Sequence, residues 1–254
     1  MIYFCIPSYN EAATVGVLLW KIRSVMEEFP RDYEILVLDD GSTDSTLDVL
    51  SPYTRVLPLS VIRQEVRGGY AAALERLIRD AVGRATHPRR DMLITIQADF
   101  TDAPEDIPGL VKRIEGGADV VEAAVVNEGP NVPTALRLAR RGIPWLLRNT
   151  PLPEGIRDPV SGFRAYRISV LKRTLGDRNG SPLMTSDGWA ANVELLVAVS
   201  PHSRRTEGLE VQRRYDMRRR PSRFRPWGTL VDLWGVARQA RRQAPTAVSA
   251  DAVG

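Results

Sequence analysis

The chain has 254 residues, of which 43% are hydrophobic, a length that allows one substantial core and does not require a second domain. Its single cysteine, Cys5, excludes an intramolecular disulfide, gives no support to a thiolate zinc site, and fits a reducing compartment. The net charge is only +4, but twelve arginines against four acidic residues between Arg204 and Arg242 give a local charge of about +8, which indicates an anionic partner there.

The first residues, MIYFCIPSYN, enter a strand-like pattern without a basic n-region or a cleavage site, so we expect no signal peptide. No run of 18 apolar residues is present that would cross a bilayer. We therefore expect a soluble or peripheral protein.

Strand-like and helix-like runs then alternate along the chain. The strand-like runs are Tyr3–Ile6, Glu34–Leu38, Leu57–Ile62, Met92–Ile96 and Val120–Val125. The helix-like runs are Ala13–Glu28, Ser45–Leu50, Tyr70–Val82 and Glu105–Glu115. This alternation predicts an α/β fold with a mainly parallel sheet and helices on both faces. The pattern loosens after Asn127, and helical periodicity returns at Asp187–Val199 and near Trp227–Gln239.

Four polar loops follow the predicted strands, where ligands bind in sheets of this kind. They read PSYNEA (7–12), DDGSTDST (39–46), RQEVRGGY (63–70) and QADFTDAP (97–104). In the first loop, helix capping is a sufficient explanation for Asn10. In the second, capping accounts for Asp44 and Ser45 but does not require Asp39 or Asp40. One of these two carboxylates is therefore predicted to accept a hydrogen bond from a nucleobase N–H or a ribose hydroxyl.

The fourth loop carries oxygen ligands suited to a hard cation. Asp99 at the strand end, with Gln97 and Asp102 nearby, predicts a site for Mg²⁺ or Mn²⁺ that uses one or two carboxylates together with substrate phosphates. For Asp102 the alternative is a cap on the following helix.

In this order, the motifs resemble the inverting family 2 glycosyltransferases of the GT-A (nucleotide-diphospho-sugar transferase) fold, which has a Rossmann-like, mainly parallel sheet flanked by helices. Three later stretches, DAPEDIPGLV, RDPVSGFRAYRISVLK and SDGWAANVELLVAVS, resemble the dolichyl- or polyprenyl-phosphate sugar synthases. The resemblance extends from Ile2 to about Phe224. It implies a glycosyltransferase domain over residues 1–225. Beyond this domain, the residue pattern predicts an amphipathic helix at 226–242, and the composition predicts a disordered tail at 243–254.

The resemblance also implies roles for individual residues. Those implied for the nucleotide-sugar donor are Pro7, Tyr9, Glu11, Asp40 and, from the loop argument above, Asp39. Asp99 matches the metal carboxylate of the family, and Gln97 stands where the family usually has Asp, which lowers the negative charge offered to a cation. The residues implied for the acceptor phosphate are Arg157, Ser161 and Arg137, with Arg140 and Arg141 as alternatives to Arg137. The C-terminal stretch DMRRRPSRF, with Arg218, Ser222 and Arg223, resembles a family segment near the ligand but has Pro221 where Gly is usual.

These roles imply a metal-dependent, inverting transfer of a hexose, namely mannose from GDP-mannose, to a polyprenyl phosphate. A soluble acceptor, or UDP-glucose as donor, is the alternative. We expect the protein at the cytoplasmic face of a membrane, bound peripherally through the 226–242 helix or through a membrane anchor subunit. The competing interpretation of that helix is packing on the domain core. Nucleic acid is not an expected partner, because no recognised nucleic-acid motif accompanies the basic charge.

Overall fold

The structure is a computed structural model that describes residues 1–127, 134–212 and 226–243, with side chains for 1–126, 140–212 and 228–242. The strands are β1 Ile2–Ser8, β2 Tyr33–Asp40, β3 Leu59–Gln64, β4 Met92–Thr95, β5 Val120–Asn127, β6 Arg164–Arg167 and β7 Thr206–Gln212. The α-helices are α1 Val15–Glu28, α2 Thr46–Leu50, α3 Tyr70–Arg84, α4 Ile107–Glu115, α5 Thr134–Leu146, α6 Ile168–Asp177, α7 Gly188–Val199 and α8 Pro226–Gln243.

The strands form one sheet in the order β3-β2-β1-β4-β6-β5-β7. All neighbouring pairs are parallel except those made by β6, which runs antiparallel to both β4 and β5. The predicted α/β fold with a mainly parallel sheet is confirmed.

The core lies on both faces of this sheet. In β1, Phe4 and Ile6 pack with α1 and α4 on one face, while Tyr3 and Cys5 pack with α3, α6 and α7 on the other. A strand buried on both faces reads as a continuous apolar run, which is why β1 and β2 were recognisable from the sequence.

The region after Asn127 is more regular than its sequence indicated, because it contributes α5, β6, α6 and β7 in addition to the expected helices. The strand expected at Leu57–Ile62 begins at Leu59 instead, after a short 3-10 turn over Ser51–Arg55. The disordered tail expected at 243–254 overlaps α8 at Gln243, and its remaining residues lie outside the described part of the chain.

Helix α8 packs one face against α5 and α7. Its buried residues Leu233, Val236 and Ala237 share a cluster with Ile143 of α5 and Val193 of α7. Packing on the domain core is therefore confirmed for this face of the helix, while binding of the exposed face to a membrane stays a prediction. Across residues 1–127, 134–212 and 226–243, no helix combines the length and the apolar character that a membrane span requires.

Candidate active site

The direction of β6 brings two distant loops together. β4 ends at Thr95 directly opposite the start of β6 at Arg164. The loop that leaves β4 and the loop that enters β6 therefore meet at the same sheet edge, beside the loops that follow β1 and β2. The Thr95 hydroxyl joins the two by donating to the carbonyl of Gly162 at 2.6 Å.

The loops after β1 and β2 are held together by polar side chains. The Asn10 side-chain oxygen accepts the N–H of Thr43 at 2.8 Å, and the Asn10 N–H donates to the Ser42 hydroxyl at 2.9 Å. Asn10 has a positive φ of 53° and α1 begins only at Val15, so the explanation of Asn10 as a helix cap is wrong. Its side chain joins two strand-exit loops instead.

Asp44 strengthens the same junction. Its carboxylate accepts the N–H of Ala12 at 3.2 Å and the N–H of Thr46 at 3.0 Å. Burial acts to raise the pKa of Asp44, but the hydrogen bonds from Thr46 and Ala12 hold that pKa below its ordinary value.

The adjacent carboxylates Asp39 and Asp40 have different environments, because neighbouring residues of a strand face opposite sides of the sheet. Asp40 faces the α3 side, where its two oxygens accept the N–H of Gly68 at 2.6 Å and of Gly69 at 2.9 Å. Asp40 therefore fixes the loop between β3 and α3. Gly41, with φ of 70°, lets the second loop pass closely, since a Cβ there would lie 3.0 Å from the backbone nitrogen of Arg67.

Asp39 lies on the other face and is fully buried. Neither of its carboxylate oxygens has a hydrogen-bond partner among the described residues, and the same is true of the hydroxyl of Ser8, its register partner on β1. A buried carboxylate without hydrogen bonds is costly. Of the two adjacent carboxylates, Asp39 is therefore the one with capacity for a nucleoside N–H or hydroxyl.

An aromatic and a cationic side chain lie close to Asp40. The Arg67 guanidinium carbon is 4.2 Å from the centre of the Tyr9 ring, and Arg67 Nε is 4.0 Å from an oxygen of Asp40. Both side chains are flat, and a nucleobase can stack on either one. Nearby, Glu11 is buried and accepts the Thr14 hydroxyl at 3.1 Å, while Pro7 is partly exposed at the end of β1.

The loop after β4 turns sharply at Asp99. Phe100 has a positive φ of 61° and a buried ring, so packing holds a backbone conformation that a bulky residue seldom adopts. The Asp99 carboxylate is oriented by Thr101, whose hydroxyl donates to it at 2.7 Å. Asp102 accepts the N–H of Gln97 at 3.3 Å, and no side-chain cap is present at the start of α4. The cap position is held by Ala103 for the 3-10 turn Pro104–Asp106 and by Asp106 for α4, so the alternative of Asp102 as a helix cap is wrong.

This loop is suited to a hard divalent cation that is bound partly by the protein and partly by the phosphates of a ligand. Within the three described ranges, no group of three or more His, Cys, Asp or Glu side chains is arranged to hold a metal ion. A single oriented carboxylate such as Asp99 matches the way Mg²⁺ binds through one or two carboxylates plus substrate phosphates. The side-chain nitrogen of Gln97 lies close to Gly162, since a Cβ added to Gly162 would be only 3.0 Å from that nitrogen.

The loop that enters β6 is shaped by a buried acid that our sequence interpretation missed. Glu122 of β5 is fully buried and accepts the backbone N–H groups of Arg157 and Asp158. Burial raises the pKa of the Glu122 carboxyl, although these two N–H groups and the nearby Arg164 act against the increase. A single acid within the apolar run VVEAAVV was the signal that would have identified it.

Two arginines border this loop. Arg157 is exposed, and its guanidinium contacts Glu210 at 2.8 Å. Arg140 of α5 is largely buried, contacts Asp158 at 3.1 Å, and lies 5.4 Å from the Trp189 ring centre. Ser161 is fully buried, and its hydroxyl accepts the N–H of Phe163 at 3.3 Å. The side chain of Arg137 and all of Arg218, Ser222 and Arg223 lie outside the described residues.

A partly buried hydrogen-bonded chain joins the loop between β3 and α3 to the loop that enters β6. Tyr70, which follows Gly69, donates its hydroxyl to the side-chain oxygen of Asn192 at 2.9 Å. The Asn192 amide then donates to the carbonyl of Val160 at 3.1 Å. Burial raises the pKa of Tyr70 far above its ordinary value, so its proton stays in place as a donor. Sequence reasoning missed both residues, because each lies within an ordinary helical pattern.

Comparison with known proteins gives a consistent assignment. Residues 3–175 match the family model described as Glycosyl transferase family 2. The chain is 31% identical over 171 residues to a dolichol-phosphate mannosyltransferase of Pyrococcus furiosus, which covers 66% of this chain and 46% of that protein. It is 28% identical over 211 residues to an undecaprenyl-phosphate 4-deoxy-4-formamido-L-arabinose transferase of Edwardsiella ictaluri, which covers 80% of this chain and 60% of that protein. The chain thus spans about half the length of these relatives.

Solved structures agree on the fold. Glucosyl-3-phosphoglycerate synthase from Mycobacterium tuberculosis, in complex with Mn²⁺, UDP-glucose and phosphoglyceric acid, superposes with a TM-score of 0.65 at 20% identity, covering 97% of this chain and 81% of that one. TarS from S. aureus superposes with a TM-score of 0.53 at 18% identity, covering 84% and 59%.

Proposed function

The chain belongs to glycosyl transferase family 2, and we propose that it transfers a hexose from a nucleotide sugar to a polyprenyl phosphate with inversion at the anomeric carbon. Mannose from GDP-mannose is the donor we propose, because one similar protein is named a dolichol-phosphate mannosyltransferase. A second relative carries an undecaprenyl-phosphate transferase name, which supports a polyprenyl phosphate as acceptor.

One observation carries the proposal. The loops that follow β1, β2 and β4, which we assign to the donor, meet at one sheet edge with the arginine-bearing loop that enters β6, which we assign to the acceptor and call the acceptor loop. On the donor side, Asp39 has unused hydrogen-bonding capacity, and Tyr9, in the loop after the neighbouring strand β1, stacks with Arg67. On the acceptor side, the guanidinium of Arg157 forms an exposed ion pair with Glu210. Such pairs contribute about 0–1 kcal/mol, so Arg157 can exchange Glu210 for a phosphate at little cost.

The residues account for the chemistry as follows. A phosphate oxygen of the acceptor attacks the anomeric carbon, the bond from that carbon to the diphosphate oxygen breaks, and a nucleoside diphosphate leaves. The acceptor is already an anion, so no general base has to remove a proton from it. Arg157 orients the attacking phosphate through its planar guanidinium, while Glu122 and Arg140 hold the loop on which it lies.

On the donor side, Asp39 and the Tyr9 and Arg67 pair hold the nucleoside, and Asp40 fixes the loop around it. Asp99 would hold Mg²⁺ or Mn²⁺ together with the donor's phosphates, which supplies charge neutralisation for the leaving diphosphate. We propose that the enzyme works at the cytoplasmic face of a membrane, where the polyprenyl chain of its acceptor lies.

The proposal is tested by transfer of radiolabel from a panel of GDP- and UDP-sugars into organic-extractable product, with Mg²⁺ or Mn²⁺ and a short polyprenyl phosphate. We expect lipid-soluble label from GDP-mannose. Donor hydrolysis without lipid labelling would contradict the acceptor and would direct the search to soluble acceptors, the alternative that the sequence leaves open. Labelling from another donor would correct the sugar and keep the acceptor.

A further inference from the structure

Helices α5 and α8 contact each other, and both expose large apolar side chains. Trp145 of α5 is 77% exposed, and Val231 and Trp234 of α8 are 65% and 52% exposed. Side chains of this size are seldom left exposed together unless the surface binds something. We refer to Trp145, Val231 and Trp234 as the α5–α8 apolar face.

The packing of α8 leaves two of these side chains on its outer side. The face of α8 that carries Leu233, Val236 and Ala237 is buried, so Val231 and Trp234 project away from the domain. Trp234 and Arg241 are seven residues apart, which puts them on the same side of the helix.

A hydrogen bond of Arg241 shows that this side of α8 reaches α5. Its guanidinium donates to the carbonyl of Leu146 on α5 at 2.9 Å. Leu146 is the immediate neighbour of Trp145 in the chain. The side of α8 that carries Trp234 and Arg241 therefore reaches α5 next to Trp145 in the chain.

The two helices that carry this face are strongly basic in sequence. Helix α5 has three arginines and no acidic residue, and α8 has three arginines and only Asp232 as an acid. Arg238 lies over the Trp234 ring, with its guanidinium carbon 5.3 Å from the ring centre. Exposed tryptophans flanked by arginines match the interface of an anionic bilayer, where rings enter the headgroup region and cations meet lipid phosphates.

We propose that the α5–α8 apolar face docks the enzyme on an anionic lipid surface. This inference rests on the proposed function, since it names the surface by which the enzyme reaches a lipid acceptor. The same helix α5 supplies Arg140 to the acceptor loop, so a bilayer under this face lies next to the end of the site where the acceptor phosphate is expected.

The test is flotation of the full chain with vesicles of phosphatidylcholine alone or with one third phosphatidylglycerol. We expect the protein to float with the anionic vesicles and not with the neutral ones. The double variant Trp145→Gln/Trp234→Gln should bind at least about tenfold more weakly, and Arg238→Gln/Arg242→Gln should bind about tenfold more weakly and lose much of the salt dependence. The matched control is Trp20→Gln, because Trp20 on α1 is 59% exposed but lies outside this face.

Failure of the wild-type protein to float with anionic vesicles would overturn the inference, as would equal binding by the double tryptophan variant and Trp20→Gln. Binding to native membranes that is lost when their proteins are digested would also overturn it, in favour of a protein partner. A solution assay with a water-soluble short-chain polyprenyl phosphate separates this inference from the proposed function. If the double variant loses vesicle binding but transfers sugar in solution at the wild-type rate, docking is supported. If vesicle binding depends on the tryptophans but no transfer is seen, the docking inference holds and the proposed function is refuted.

Discussion

Replacing Asp39 with Asn separates the cost of a buried carboxylate from its use in nucleotide binding. Asn has nearly the same shape, so the packing around this fully buried side chain should persist. A buried polar group without a partner costs about 1–3 kcal/mol, and more when it is charged. Removing the charge should therefore raise the free energy of unfolding of the nucleotide-free protein by about 1 kcal/mol.

The same change should weaken nucleotide binding. A hydrogen bond to a charged group contributes about 1.5–3 kcal/mol, so loss of one such bond should raise the Kd for the nucleoside diphosphate about 10- to 150-fold. The two effects have opposite signs, because the bound nucleoside supplies the hydrogen bonds that the empty site lacks.

Denaturant unfolding measures the first effect, and calorimetric titration with GDP and UDP measures the second. Asp48→Asn is the matched control, since Asp48 is an exposed acid on the neighbouring helix α2 and neither quantity should change. The reasoning is refuted if Asp39→Asn binds both nucleotides as tightly as the wild type. Unchanged affinity would mean that ordered water, and not a nucleoside, satisfies this carboxylate.

Three further predictions concern the rest of the site. Asp99→Asn should lower the rate of transfer by about 100-fold or more in saturating Mg²⁺ or Mn²⁺, with an unchanged circular dichroism spectrum; retention of more than a tenth of the activity would remove Asp99 from metal binding. Arg157→Gln should raise the KM for a phosphate acceptor by about tenfold or more, whereas Glu210→Gln, which breaks the same exposed ion pair, should leave KM and stability nearly unchanged; similar KM values for the two variants would contradict the assignment. Glu122 has a raised pKa in the folded protein, so its contribution to stability is present below the ordinary pKa and is lost as the pH rises through the raised value; the unfolding free energy of the wild type relative to Glu122→Gln should therefore fall over that interval, and a constant difference would count against burial as the cause.

Sequence patterns were sufficient for the first half of the sheet, because β1, β2 and β4 are apolar runs bounded by polar loops. They were insufficient for β6, whose four residues, RAYR, begin and end with arginine. Arg164 is buried in that strand because its guanidinium donates to backbone carbonyls of Asp158 and Asn192, a solution that only the tertiary structure supplies. Helix α5 was obscured by Gly142 and by Pro144 within its last turn.

The site shows the same division. The strand-exit loops were identified by position, because parallel strands bring their carboxyl ends to one edge. The choice between Asp39 and Asp40 was undecidable in sequence, since it depends on which face of the sheet meets the glycines of the β3–α3 loop. The roles of Glu122, Tyr70 and Asn192 likewise depend on contacts between segments far apart in the chain.

The antiparallel direction of β6 fixes the spacing between the starting points of two loops of the candidate site. Asp99 follows β4, and the acceptor loop precedes β6, so the two loops spring from strands that are direct neighbours in the sheet. The separation of neighbouring strands is set at about 4.8 Å by backbone hydrogen bonds, whatever side chains the loops carry. The sheet therefore fixes how far apart the two loops begin. Residues in the two loops are free to change for a new ligand, while the strand ends from which the loops start keep this spacing.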